Sequence, residues 1–212
     1  MLGDYVLQRK REFNLIPQER KKLLTRLASA ITHDISLECS ADLIFICTHN
    51  SRRSLLAQIW AQFSSLHYEV IGVRCFSGGT EATAFNPRAV AALERAGVSV
   101  SITDSNSTNP LYKVLTGNSD TGDIMSSKRY DDPVIPSEGF IAVMVCSDAD
   151  EACPVVPGVS ERIVLTYQDP GGYDGTSSEQ DKYDEICIQI ATEMLYLFQY
   201  VRLKVIQITP SK

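Results

Sequence analysis

The segment Cys47-Thr48-His49-Asn50-Ser51-Arg52-Arg53-Ser54 carries the strongest chemical signal in this chain. Its pattern is C-x5-R-S: a thiol, a short wrap of backbone N–H groups, and a planar guanidinium able to close a bidentate fork on an oxyanion. A loop that leaves a buried strand and enters a helix gathers several N–H groups at the positive end of the helix dipole, which makes an anion site by geometry. The field that holds a tetrahedral oxyanion also stabilises a thiolate, so Cys47 is the expected nucleophile. Ser54 can donate its hydroxyl to that thiolate, and Asn50 tolerates the left-handed backbone of a tight loop. Thr48, His49, Asn50, Ser51, Arg52 and Arg53 are the expected oxyanion-binding residues.

The elements that must position this loop can be read on both sides of it. Leu43-Ile44-Phe45-Ile46 is a short apolar run suited to a parallel strand buried on both faces, and it ends at Cys47. Beyond the loop, Leu56, Ile59, Trp60 and Phe63 recur at helical spacing. Val70–Phe76 supplies a second strand. Asn86-Pro87 starts a helix that Gly97 is placed to end. Phe140–Val145 and Arg162–Thr166 are the third and fourth strands. Thr176 with Glu179 forms a capping box before a long final helix whose core face carries Tyr183, Ile186, Ile190, Met194 and Leu197. This alternation predicts an α/β fold, a four-stranded parallel sheet with helices on both faces.

Residues 1–40 read as a helical arm, with Pro17 at a helix start and Leu24, Leu27, Ala28 and Ile31 on one face. Residues 41–212 form the expected catalytic domain. Within it, 105–138 is rich in Ser, Thr, Asn, Asp, Gly and Pro and too long for an ordinary connection: a lid, a disordered insertion or a small subdomain.

Composition narrows the function classes. The chain has 212 residues, 44% hydrophobic and 22% charged, as expected of a globular protein able to bury a full core. A net charge of -6 offers no general attraction to nucleic acid or to an anionic membrane, so neither is an expected partner. No apolar run approaches the roughly 18 residues of a membrane span, and Met1–Tyr5 lacks a secretory pattern, so a cytoplasmic location is expected.

Six cysteines are too few for a disulfide scaffold, and a reducing compartment leaves them as thiols at rest. Cys146 and Cys153 follow the third strand and so emerge near the oxyanion loop. Their spacing is not that of a zinc knuckle, and the histidines are scattered at 33, 49 and 67, so neither metal nor cofactor is expected. The pair reads either as small buried residues or as a redox relay. In a continuous helix their Cα atoms would lie about 10 Å apart, whereas a disulfide needs roughly 4.4–6.8 Å. A bond between them therefore requires the segment to loop out or unwind. Cys39, Cys75 and Cys187 read as packing residues.

From Asp42 to about Phe198 the chain resembles the low-molecular-weight protein tyrosine phosphatases, which combine a C-x5-R-S loop with a late Asp-Pro pair. Asp169-Pro170 matches that pair. The resemblance implies a carboxyl group beside the loop that protonates the leaving oxygen. The stretch Cys146–Pro154, with Ser77-Gly78-Gly79-Thr80-Glu81 and Asn86-Pro87-Arg88-Ala89-Val90, is similar to the thioredoxin-coupled arsenate reductases that share this fold. That resemblance implies catalytic roles for Cys47, Arg53, Ser54, Asp169, Cys146 and Cys153. Cys47 attacks arsenate, Cys146 attacks the sulfur of the adduct and expels arsenite, and Cys153 displaces Cys47. Thioredoxin or a similar dithiol reductant then reduces the Cys146–Cys153 disulfide.

The alternatives are a phosphatase working through a Cys47 phosphocysteine and a non-catalytic phosphate-binding module. The chain departs from the family pattern in carrying His49 where glycine is usual and Arg52 where a second cysteine is common. It also has Gln58 where some members have a potassium-binding Glu, and Gly171-Gly172 where phosphatases place aromatic residues.

Overall fold

The computed structural model describes residues 2–104, 107–116, 122–152 and 155–208. The main sheet has four parallel strands: β1 (Ala41–Cys47), β2 (Val73–Gly79), β6 (Phe140–Met144) and β7 (Val159–Val164), in the order β2-β1-β6-β7. The two central strands are buried almost throughout, which is why they read as continuous apolar runs. Helices α3 (Arg53–His67), α4 (Pro87–Arg95) and α6 (Glu179–Ile208) follow in the α/β alternation expected from the sequence. Trp60, Tyr183, Phe45, Phe85 and Phe198 are among the largest fully buried side chains; each such burial contributes about 1.5–3 kcal/mol before entropy is counted.

The strand order fixes where chemistry belongs. The chain leaves β1 toward β2 and later returns to the other side of β1 as β6, so the switch point of this sheet lies between β1 and β6. Ligands in open α/β sheets bind outside the carboxyl ends of the strands at such a point. Cys47 ends β1 and Cys146 follows β6, so both thiols are delivered there.

The region 1–40 contains two helices, α1 (Leu2–Arg11) and α2 (Gln18–Glu38), joined through a 3-10 turn at Phe13–Leu15. Both contact α6, and α2 also contacts β1 and β7. Pro17 is the N-cap of α2, one position ahead of the expected first helical turn.

Several boundaries differ from the sequence expectation. The second strand runs Val73–Gly79 because Gly72 adopts φ 87° and Val70 closes a turn onto Ser65, so pairing with β1 begins later. The fourth strand starts at Val159 and ends at Val164. The expected capping box is displaced: α6 begins at Glu179, whose carboxylate accepts from Gly175 N–H at 2.5 Å, while Thr176 Oγ1 accepts from Ser178 N–H.

A second sheet, antiparallel, is formed by β3 (Ser99–Asp104), which precedes the long polar segment, and by β4 (Leu111–Leu115) and β5 (Asp123–Met125) within it. Tyr112, Val114 and Met125 anchor it in the core, with Phe85 edge-on to Tyr112. The short α5 (Ser147–Ala152) follows β6. Among the described residues no helix is long and apolar enough to cross a membrane.

Candidate active site

The Cys47–Ser54 loop is built by turning its carbonyls outward. Cys47 O accepts from Thr80 N–H, Thr48 O from Glu81 N–H and Thr80 Oγ1, His49 O from Thr83 Oγ1 and Ser127 Oγ, and Ser51 O from Asn86 N–H. A trans peptide directs the next residue's N–H opposite to its carbonyl, so the N–H groups of Thr48, His49, Asn50 and Arg52 point away from those partners. Arg52 is the N-cap of α3 and no side chain caps this end, which adds first-turn N–H groups to this set.

Asn50 holds the turn. It is fully buried with φ 45°, its Nδ2 donates to Ser54 Oγ at 2.8 Å, and its Oδ1 accepts from Lys128 N–H at 2.8 Å. Ser54 Oγ lies 3.0 Å from Cys47 Sγ, close enough to stabilise a thiolate. Gly79, paired with Cys47, lies against the loop so closely that a Cβ there would sit 2.6 Å from Thr48 O and 2.8 Å from Asn50 N.

Arg53 is buried at the base of α3, where its Nη1 donates to Tyr167 O at 3.1 Å and its Nη2 to Asp169 Oδ2 at 2.7 Å. Asp169 also accepts from Gly171 N–H at 2.9 Å, which starts the 3-10 turn Pro170–Tyr173 and aims the carboxylate at the loop. The sequence pairing of Asp169 with Pro170 thus has a conformational use.

The Arg52 side chain is engaged at the lip of the site. It donates to Tyr183 Oη at 2.8 Å and to Asp174 Oδ2 at 3.2 Å, and stands 3.9 Å from Asp169 Oδ1. Tyr183 Oη in turn donates to Asp174 at 2.8 Å. Burial, with that bond, pushes the Tyr183 phenol up to about 12, so it remains a donor at neutral pH. Gly171 lies under Arg52, where a Cβ would be 2.8 Å from Cζ. The His49 imidazole is exposed, 3.7 Å from Glu81.

Cys146 is fully buried beside this loop, its Sγ 3.6 Å from Thr48 Oγ1 and accepting from Ala149 N–H at 3.3 Å. Cys153 lies outside the described residues. Cys75 and Cys187 are buried, and burial pushes both thiols up, Cys187 to about 11. Cys39 is exposed at the left-handed C-cap of α2, which differs from its expected packing role.

The two amides matching the potassium pattern are hydrogen-bonded within the protein. Asn50 Oδ1 is taken by Lys128 N–H and Gln58 Oε1 by Ser77 Oγ, while Gln58 Nε2 donates to Cys75 O.

Sequence reasoning did not single out Tyr167, Asp174, Ser127 or Lys128. Ser127 and Lys128 belong to the long segment, which crosses Gly79 through Gly79 N–H to Lys128 O and Tyr130 N–H to Gly79 O. The adjacent glycines Gly78-Gly79 were the available signal for that close approach.

Comparison with known proteins agrees with this architecture. No protein-family model matches the chain. Among solved structures, an arginine phosphatase from Geobacillus stearothermophilus aligns with a TM-score of 0.53 at 14% identity, covering 81% of this chain and 99% of that one. A low-molecular-weight protein tyrosine phosphatase from Bacillus subtilis aligns with a TM-score of 0.52 at 18% identity, covering 77% and 97%. These similarities define the fold as that of the low-molecular-weight tyrosine phosphatases. An arsenate reductase of Bacillus licheniformis is 31% identical over 136 residues, 64% of this chain and 78% of the relative. The chain belongs to the arsenate reductase family on the phosphatase fold.

Proposed function

We propose that this protein reduces arsenate to arsenite through Cys47, Cys146 and Cys153, with residues 41–212 as the working unit and residues 1–40 as its arm. The observation that carries the reading is the placement of Cys146: a buried thiol against Thr48 of the oxyanion loop, at the same sheet switch point as Cys47. A phosphatase needs only the loop, Arg53 and a carboxyl acid; a reductase needs a further thiol within reach of the adduct.

The Cys47 thiolate attacks arsenic(V), forming an S–As bond, and Asp169 protonates the oxygen that departs as water. Arg53 and the loop N–H groups hold the remaining oxygens. The Cys146 thiolate then attacks Cys47 Sγ; the S–As electron pair stays on arsenic, which leaves as arsenite, and a Cys47–Cys146 disulfide forms. Cys153 attacks Cys146 Sγ and releases the Cys47 thiolate. Thioredoxin or a similar dithiol reductant reduces the resulting Cys146–Cys153 bond. A cytoplasmic location suits this cycle, because a reducing compartment keeps the thiols available.

A second reading, phosphomonoester hydrolysis, is favoured by the Arg53–Asp169 pair alone. The two separate in one experiment: reduced protein is given arsenate with thioredoxin, or an aryl phosphate, alongside Cys146→Ser and Cys153→Ser. Sustained arsenite release that either substitution stops supports reduction. Aryl phosphate turnover without arsenite, indifferent to both substitutions, supports the phosphatase.

A further inference from the structure

A buried polar chain runs from the N-terminal arm into the site. Arg20, on α2, donates through Nε and Nη2 to the Glu193 carboxylate at 3.0 and 2.5 Å, and through Nη1 to Thr166 O at 2.9 Å. Glu193 lies on α6 with its side chain only 3% exposed, and it also accepts from Tyr167 Oη at 2.8 Å. The Arg20 guanidinium stacks over the Tyr167 ring at 4.8 Å. Tyr167 O is the acceptor that holds Arg53 Nη1, and Asp169, two residues on, holds Arg53 Nη2.

We infer that Arg20 is a positioning residue for Arg53 and Asp169. The segment 165–169 leaves β7 with no helix or strand of its own, so its course depends on what its polar groups meet. The Leu165 and Tyr167 N–H groups are tied to Met144 O at the end of β6 and to Val145 O just beyond it, which fixes one side. Arg20 fixes the other, binding the Thr166 carbonyl and, through Glu193, the Tyr167 ring. A planar fork satisfies a carboxylate and a carbonyl together, whereas an ammonium offers no such fixed geometry. Arg20 does not touch the oxyanion. It sets the carbonyl that orients the guanidinium and the backbone that presents the carboxyl acid.

The functional part of this inference rests on the proposed anion chemistry, but inorganic phosphate binding tests it without turnover. Arg20→Met leaves Glu193 buried without its cation and can fail to fold, so Arg20→Met with Glu193→Leu removes both charges together. Arg20→Lys is the conservative variant. Phosphate dissociation constants are measured by calorimetry on the reduced full chain, with thermal melting and arsenate kcat and KM. The double variant is expected to melt cooperatively, bind phosphate about tenfold more weakly and lose kcat as well as raise KM, with Arg20→Lys intermediate. A folded double variant with unchanged phosphate affinity overturns the inference. If all forms bind phosphate as expected here and none reduces arsenate, the proposed activity fails while the positioning role stands.

Discussion

Arg53 and Asp169 stand 2.7 Å apart, guanidinium to carboxylate, so an oxyanion entering the loop competes with Asp169 for the same donors. Asp169→Asn retains an oxygen for the Gly171 N–H and so preserves the turn, yet removes the competing charge and the proposed acid. Phosphate is expected to bind as tightly or more tightly, while turnover falls by about 10²–10⁴-fold. Calorimetry and steady-state kinetics on the same preparation check both halves.

Gly79→Ala places a methyl against Thr48 O and Glu81 O, the latter 2.1 Å from the added carbon. Both neighbours are backbone and cannot rotate away. A loss of about 3 kcal/mol is expected, measured by urea unfolding, together with loss of phosphate binding. Gly172→Ala, which meets no atom within 4 Å, is the matched control and is expected to change neither.

Arg52→Met breaks the bonds to Tyr183 and Asp174 at the lip while keeping the stem. With Arg52 partly buried, a loss of about 1–2 kcal/mol is expected, seen as lower thermal stability. Faster hydrogen exchange should be confined to the Pro170–Tyr173 turn and the start of α6. Uniformly faster exchange across the sheet would contradict a local role.

Buried acids set the alkaline limit. Cys187 is pushed up to about 11 by burial, against an ordinary 9.0, and Tyr183 to about 12 against 10.0. The folded state therefore holds these protons more tightly than the unfolded chain. The stabilisation is complete below pH 9 and declines as pH rises through 9–11 for the thiol and 10–12 for the phenol. Unfolding free energies at pH 8 and pH 10 are expected to fall in that order, with a smaller fall in Cys187→Ala.

The parallel sheet and the loop were legible because each rests on local signals: an apolar run ending at Cys47, helical spacing after Ser54, and a Pro behind Asp169. Boundaries were less so, since the left-handed Gly72 and the pairing register with β1 decide where β2 begins. The support beneath the loop was not legible at all. Ser127 and Lys128 lie in a polar stretch with no periodicity, and they reach Asn50 and His49 only through the path of the long segment over Gly79. Arg20 sits in the charged run Arg20-Lys21-Lys22, where nothing local marks it out. Its partner Glu193 lies 173 residues away, a contact that only tertiary packing creates.

The most direct test of the thiol chemistry is a single turnover of Cys153→Ser. The reduced variant is mixed with arsenate without any reductant, quenched with an alkylating reagent, and analysed by peptide mass spectrometry alongside arsenite measurement. One equivalent of arsenite per chain and a Cys47–Cys146 disulfide are the predicted result. No arsenite, with Cys47 and Cys146 both alkylated, would contradict it.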